Sequence, residues 1–489
     1  MTLYSPMRRV PQAYSRGYLL RRLSRARRPI VRAIGAAVLA EILPAPRPVR
    51  TYLRERSQWI TQQAVEALQR IYFDTPGLDA ITIREVAKTG LLISRAVRAR
   101  LAARIIFGRD PDGTNRRNLQ LLPRLGYDSL MATGLALGTA AGVFTGGGIS
   151  THMWWSSDDP TIRVPSGHPI PAARRFEAPQ TLTDLAADID DLYWAGAYGQ
   201  AIKVTRVGQG PQRRWLVSLP GTDHTSLHSQ PNAADVESNM MEQLNLDSPM
   251  RRGTIAVINA AMEAEGVPAD QRQFERVLIC GHSQGGMIAA ALASLDPAEV
   301  GFNVDRVLTL GSPTRRLRLR PDVQMLAVEH IQDIVPSMDG SPRKVPDQRV
   351  VARRRLTRPR VGPLLYAHSS STYTETLHMM ERRQGIVQWG RATEVLSELQ
   401  KYLPQAGEST HVAHYYTWQE VLPPHRSKAL DQYPFTQSAA WQPVEFGGEV
   451  QVHSFVTPQS PQQLMQKLRR REDQAAAEPQ PDTEGDDNA

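Results

Sequence analysis

The sequence of 489 residues contains a single cysteine, Cys280, so no intramolecular disulfide can form. Cys280 lies in an apolar run, and we expect it to be a small buried hydrophobic residue. A lone cysteine is compatible with either side of a membrane and leaves the redox compartment open. The chain is too long for one compact core, which predicts two or three folding units.

Acidic residues are scarce in residues 1–127, which hold 24 Lys and Arg against 8 Asp and Glu. This N-terminal region therefore carries the excess of positive charge behind the formal net charge of +9, and the rest of the chain is mildly acidic. We predict that the region is basic and mainly helical. Few aromatic residues lie between the arginines and no nucleic-acid module is recognisable, so anionic lipid headgroups fit better than nucleic acid. A solvated basic face on a helical domain is the alternative.

Charged side chains are absent from residues 129–155, SLMATGLALGTAAGVFTGGGISTHMWW, a run long enough to cross a bilayer. Four glycines recur there at helical spacing, as in membrane helices that self-associate: Gly134, Gly138, Gly142 and Gly146. Trp154 and Trp155 would then lie at a membrane interface. We predict a transmembrane helix within residues 128–155, with a glycine-rich buried helix or loop of a soluble protein as the alternative.

The texture of the sequence changes beyond this run. Residues 156–180 are rich in Pro, Ser and Asp and predict a linker. Residues 181–425 alternate strand and helix patterns, which predicts an α/β fold with a doubly wound, mostly parallel sheet. Residues 426–489 form a C-terminal extension whose last part, REDQAAAEPQPDTEGDDNA, lacks apolar residues and is expected to be disordered.

The stretch ERVLICGHSQGGMIAA places Ser283 between an apolar strand and a helix. Gly281 and Gly285 flank the turn and allow the sharp backbone that a nucleophile elbow needs. An ordinary strand-turn-helix connection with a solvated serine is the alternative. We predict that Ser283 is a catalytic nucleophile.

A serine nucleophile needs a histidine to accept its proton and a carboxylate to orient that histidine, here in the chain order Ser, acid, His. Asp333 follows the second strand after the elbow and is the predicted acid, with Asp339 as an alternative. His368 follows the last predicted core strand and is the predicted base. His414 and His411, inside a predicted extra strand, are the alternatives.

Developing charge on the substrate oxygen needs preorganised N–H donors. Gln284 follows the nucleophile and is expected to supply one backbone N–H. Thr222, in the PGT turn after a strand, is expected to supply the other, with its hydroxyl as an additional donor; a plain Pro-Gly turn is the alternative. His282 is expected to be a packing residue first, because neighbouring side chains of a tight turn diverge.

The motifs PGT, GHSQGG, LGSP and DIVP, in this order, resemble the α/β-hydrolase superfamily. Within it the chain is similar to the lipase class 3 group, and the SQGG of the elbow is also similar to cutinase-like esterases. The resemblance covers roughly residues 181–425 and lacks the compact histidine motif of the group. It implies hydrolysis of carboxylic esters, often lipids, without a metal or organic cofactor.

These observations predict a membrane-associated serine esterase or lipase that acts on an ester or lipid substrate. An acyltransferase with the same triad, and an inactive hydrolase-fold scaffold tethered to a membrane, are the alternatives. Arginines precede the apolar run and acidic residues follow it, so a single span would place the hydrolase domain outside the cytoplasm. The competing arrangement keeps the whole chain in the cytoplasm, with its basic segment on anionic headgroups.

Overall fold

The computed structural model describes residues 143–196, 199–223, 229–339, 349–357, 363–384, 390–422 and 453–455, with scattered residues between 21 and 138. The strands of its sheet are β1 (Gly146–Ser156), β2 (Gln200–Val207), β3 (Arg214–Leu219), β4 (Arg276–His282), β5 (Asn303–Leu310), β6 (Gln324–His330), β7 (Arg349–Arg354), β8 (Thr410–Val421) and β9 (His453–Phe455). The helices that follow β1 are α1 (Leu182–Ala195), α2 (Val236–Gln243), α3 (Pro249–Ala264), α4 (Gln284–Leu292), α5 (Pro297–Val300), α6 (Pro363–His368), α7 (Ser370–Arg382) and α8 (Arg391–Gln400).

The strands lie in the order β1-β8-β2-β3-β4-β5-β6-β7-β9. Those from β3 to β9 in this order run parallel, and β1, β8 and β2 form an antiparallel half. The predicted α/β class with a mostly parallel sheet is therefore confirmed. The sheet also recruits β1 and β9 from beyond residues 181–425.

Alternation along the strands divides the core between the two faces of the sheet. In β4, Val277 and Ile279 belong to the face covered by α3 and α4, whereas Leu278 and Cys280 belong to the face covered by α1, α7 and α8. Cys280 is fully buried, as expected from the apolar run around it. The carboxyl ends of β4, β5 and β6 meet at one edge, where polar residues replace this apolar pattern.

The alternation of strands and helices predicted for residues 181–425 is seen in AIKVTRVGQGPQRRWLVSLPGT, which forms β2 and β3, and in MRRGTIAVINAAMEAEG, which contains α3. Local chemistry explains these boundaries. Ser248 accepts a hydrogen bond from the Arg251 N–H and so caps α3, and Pro249 occupies its first position. The extra strand predicted around His411 and His414 is β8.

The prediction of a transmembrane helix within residues 128–155 is wrong for the last part of this segment, because residues from Gly146 onward form β1. Antiparallel pairing with β8 provides backbone hydrogen bonds along one side of this segment, and its β-branched and aromatic residues suit a strand. Trp154 does not lie at a membrane interface but is buried beside Phe176 and Tyr416. The four glycines therefore do not share one helical face.

Gly134 and Gly138 are helical, Gly146 is on β1, and Gly142 lies outside the described residues. A Cβ on Gly138 would lie 2.2 Å from the Phe144 ring, so the space that this glycine leaves is filled by the same chain. Among the residues that the structure describes, no helix combines the length and apolar character that crossing a membrane requires.

Residues 157–180, within the predicted linker, contain no helix or strand, and Ser157, Arg163 and Phe176 contact strands of the sheet. The Lys203 ammonium donates to the carbonyl oxygens of Arg175 and Glu177, at 3.2 and 2.6 Å. Most of the basic region 1–127 and the C-terminal tail predicted to be disordered lie outside the described residues.

Candidate functional site

Ser283 lies at the turn between β4 and α4 with a φ of 53° and a ψ of −118°, a conformation that residues other than glycine seldom adopt. Its N–H donates to the Leu310 carbonyl at 3.0 Å, which ties the turn to β5. A Cβ on Gly281 would lie 2.4 Å from the Gly285 backbone, and one on Gly285 would lie 2.2 Å from the Leu219 carbonyl oxygen. The close backbone approach at this elbow therefore needs both glycines.

Asp333 lies three residues beyond β6, and its side chain is 1% exposed. The Val335 N–H donates to Oδ1 at 2.9 Å, which holds the carboxylate at the strand end. Gly311, after β5, makes room for it, because a Cβ there would lie 2.9 Å from Oδ2.

His368 is the last residue of α6, and its ring lies between Asp333 and Ser283. Its Nδ1 lies 2.8 Å from Asp333 Oδ2, and its Nε2 lies 3.0 Å from Ser283 Oγ. The carboxylate can only accept, so Nδ1 carries the proton and Nε2 is free to accept from the serine hydroxyl. The structure brings together the three residues named from the sequence, in the order that proton transfer away from a serine requires.

The alternatives for the acid and the base lie elsewhere. Asp339 is buried and accepts from the Arg315 N–H at 2.8 Å. His411 lies on β8, and its Nδ1 is 2.5 Å from a carboxylate oxygen of Glu265. His414 is fully buried, with its ring 5.0 Å from that of Trp154.

The two residues predicted to supply N–H donors, Gln284 and Thr222, belong to segments next to Ser283. Gln284 is the first residue of α4, so its N–H has no acceptor within the helix. A Cβ on Gly221 would lie 2.6 Å from the Ser283 Cβ, which places the Gly221-Thr222 turn against the nucleophile. Asn239 Nδ2 donates to Thr222 Oγ1 at 2.7 Å, so the threonine hydroxyl is free to direct its own proton elsewhere.

Three further residues around the triad were not predicted from the sequence. The Tyr373 hydroxyl donates to Asp333 Oδ2 at 2.7 Å and accepts from the His330 N–H at 3.1 Å. His330 stacks on the Tyr373 ring with centroids 3.8 Å apart. The Tyr193 hydroxyl lies 2.7 Å from His282 Nδ1.

Of these three residues, His330 could have been found from the sequence. On β6 it lies on the same face as the apolar Leu326 and Val328, so a polar residue ends an otherwise apolar alternation. His282 does the same after Cys280 on β4. Tyr373 and Tyr193 look like ordinary buried residues of amphipathic helices. His282, expected to be mainly a packing residue, is buried but also hydrogen-bonded at both ring nitrogens.

Burial controls the ionisation of the groups beneath the triad. Desolvation, with a smaller contribution from His368, holds the pKa of His282 well below its usual range. Desolvation lowers the pKa of His330 to about 4. Desolvation, reinforced by the nearby Asp333 carboxylate, raises the pKa of Tyr373 well above its usual range. All three groups are therefore neutral at neutral pH.

Among the described residues, no group of three or more His, Cys, Asp or Glu side chains is arranged to hold a metal ion. Comparisons of the chain with protein-family models, with curated proteins and with solved structures found no match.

Proposed function

We propose that this protein is a serine hydrolase of the α/β-hydrolase superfamily that cleaves carboxylic esters through an acyl-enzyme. The observation that carries the proposal is the continuous series of hydrogen bonds from Asp333 through His368 to Ser283, on a strained turn after a parallel strand. Ser283 and His368 are both partly exposed residues, which supports access of a substrate to them.

In the first half of this reaction, Ser283 Oγ attacks the ester carbonyl carbon while His368 Nε2 takes the hydroxyl proton. The buried Asp333 carboxylate stabilises the imidazolium that forms. The carbonyl oxygen gains negative charge and accepts from the N–H groups of Gln284 and Thr222. His368 then donates its proton to the leaving alcohol, which leaves the acyl group on Ser283.

In the second half, His368 takes a proton from a water molecule, which attacks the acyl-enzyme, and then returns that proton to Ser283. An alcohol acceptor would use the same groups, so an acyltransferase differs only in the acceptor. The substrate class that we propose is a lipid ester, because the family that the motifs resemble often acts on lipids. Association with anionic membrane surfaces through the arginine-rich residues 1–127 is part of the same proposal.

Labelling of the folded protein with a fluorophosphonate probe tests the nucleophile. We expect covalent labelling of the wild type at Ser283 and none of Ser283→Ala. Ser371→Ala, which removes an exposed serine of α7, is the matched control and should label like the wild type. A panel of p-nitrophenyl esters of increasing chain length then measures turnover.

A wild-type protein that is folded, does not label at Ser283 and hydrolyses no ester would contradict the proposal. It would favour the alternative of an inactive scaffold. Labelling without ester hydrolysis, with acyl transfer to an added alcohol, would favour the acyltransferase.

A further inference from the structure

Two buried histidines contact backbone carbonyl groups at the end of α6, where His368 lies. His282 Nε2 lies 2.8 Å from the carbonyl oxygen of His368, and His330 Nδ1 lies 2.7 Å from that of Ala367. The two histidines are the last residues of β4 and β6 and face the same side of the sheet. Two consecutive carbonyl groups are thus each held by an imidazole from a different parallel strand.

The end of α6 explains why these contacts matter. α6 has only 6 residues, and Ala367 and His368 are its last two. Carbonyl groups in the last turn of a helix have no partner within the helix. A short helix without an external partner for them has little to define its end. The position of the His368 ring therefore depends on groups outside α6.

The hydrogen-bonding partners determine the tautomer of His282. A carbonyl oxygen only accepts, so His282 Nε2 carries the proton and Nδ1 is an acceptor. Nδ1 accepts from the Tyr193 hydroxyl at 2.7 Å, whose oxygen accepts in turn from the Gly221 N–H at 2.8 Å. One series of hydrogen bonds therefore joins the turn beside Ser283 to the backbone of His368.

His330 requires the opposite tautomer. Its Nδ1 must donate to the Ala367 carbonyl, so Nε2 of the neutral ring is an acceptor. Nε2 lies 2.8 Å from the Thr376 hydroxyl, whose single proton is shared between this nitrogen and the Thr372 carbonyl oxygen. Its ring is held in place by stacking on Tyr373, which also binds Asp333. Each histidine thus has one assigned donor nitrogen and one assigned acceptor nitrogen.

We propose that His282 and His330 form a histidine clamp, a pair of positioning residues that hold the His368 and Ala367 carbonyls and thereby set the His368 ring between Asp333 and Ser283. The catalytic readout of the clamp rests on the proposed function. Its neutral state matters as well, because the His282 ring centroid lies 4.7 Å from that of His368. A second positive charge at that distance would disfavour the imidazolium that catalysis requires.

Substitutions that keep or lose one donor nitrogen test the clamp. The amide nitrogen of glutamine occupies the place of a histidine Nε2, and that of asparagine the place of Nδ1. We therefore expect His282→Gln and His330→Asn to retain kcat within a few-fold. The exchanged pair, His282→Asn and His330→Gln, should lose about 100-fold in kcat with little change in KM, because a catalytic group displaced by about 1 Å costs that much.

Equal rates for the retaining and the exchanged variants, or a loss confined to KM, would overturn the clamp. Thermal unfolding of each variant checks that it is folded at the assay temperature.

The tautomers give a readout that needs no activity. In protein labelled with ¹⁵N-histidine, NMR correlations between ring protons and ring nitrogens should show His282 protonated at Nε2 only and His330 at Nδ1 only at neutral pH. The reverse tautomers, or a doubly protonated ring, would overturn the clamp even if the protein hydrolyses esters. The expected tautomers in a protein that hydrolyses nothing would contradict the proposed function and leave the clamp standing as a structural device.

Discussion

The antiparallel and parallel halves of the sheet both bury ionisable side chains, but these side chains contact different kinds of groups. In the antiparallel half, Lys203 and Asp188 form an ion pair at 2.8 Å with both side chains 1% exposed, and the remaining protons of Lys203 go to backbone carbonyls. In the parallel half, the buried Asp333 leads to His368, whose side chain is 26% exposed, and on to Ser283.

This difference separates a structural pair from a candidate site. A buried pair whose one exposed partner is an arginine, as Arg175 is for Asp188, holds elements together, because a guanidinium stays protonated and passes no proton on. A carboxylate that is buried behind a partly exposed imidazole can orient that imidazole and still let it meet a substrate. Burial of charge alone therefore does not identify function; what distinguishes the candidate site is that its buried carboxylate contacts a partly exposed group that can exchange a proton.

The largest effect should come from removing one histidine from the parallel half and comparing the result with removal of one from the antiparallel half. We expect His368→Ala to lower kcat by about 10⁴-fold or more, because members of a triad act as a unit. His414→Ala is the matched control: it removes a fully buried histidine of β8 and should lower the free energy of unfolding while kcat stays within a few-fold. Ester turnover and thermal unfolding measure the two. Inactivation by His414→Ala, with near-normal turnover in His368→Ala, would reverse the assignment of the base.

The ion pair of the antiparallel half should affect stability alone. Lys203→Met leaves Asp188 without its buried partner, and we expect the free energy of unfolding to fall by about 3 kcal/mol. This is the lower end of the range for a broken buried pair, because Arg175 Nε still binds Asp188 at 3.0 Å.

Denaturant unfolding measures this loss, and replacing both partners, as Lys203→Met with Asp188→Leu, should recover part of it. A large change in kcat of a folded variant would contradict the prediction that this ion pair affects stability alone.

The pH dependence of stability should carry the signature of His330. Its folded pKa of about 4 lies below the ordinary 6.5, so between these values the unfolded chain binds a proton that the folded chain does not. The free energy of unfolding therefore falls as the pH decreases from about 6.5 to 4. We expect the wild type to lose about 2 kcal/mol more than His330→Asn between pH 7 and 5.

Other groups contribute to both proteins and cancel in this comparison. Asp235, whose pKa burial raises to about 7, acts in the opposite direction, since its folded form holds a proton that the unfolded form releases between pH 3.8 and 7. His378→Asn, at an exposed position of α7, is the control and should follow the wild type. Parallel curves for the wild type and His330→Asn would show that His330 is not held neutral.

The smallest effect should come from the hydroxyl beneath the acid. Tyr373→Phe removes one donor to Asp333, and we expect kcat to fall about 5-fold, in line with about 1 kcal/mol for one hydrogen bond. Tyr402→Phe removes a hydroxyl bound to Asp305 in the same core and away from the triad, so it should leave kcat unchanged. Equal kcat values for the two variants would remove Tyr373 from the support of the site.

The sequence by itself determined the features that depend on residues close together along the chain. The elbow could be predicted from the glycines two residues on either side of Ser283, and Asp333 from its place a few residues after an apolar strand. His368 could be named because the order of elements puts a loop after the last predicted strand. These inferences hold because short apolar runs and turns carry their own local preferences.

Only the tertiary structure decided what depends on partners distant in the chain. Residues 146–156 could have been a helix by glycine spacing, but pairing with residues 410–421 makes them an edge strand, and local periodicity cannot encode that partner. His330 and Tyr373 acquire their roles in the same way. Their partners come from other elements, and hydrogen bonds across elements exist only once the strands and helices have packed.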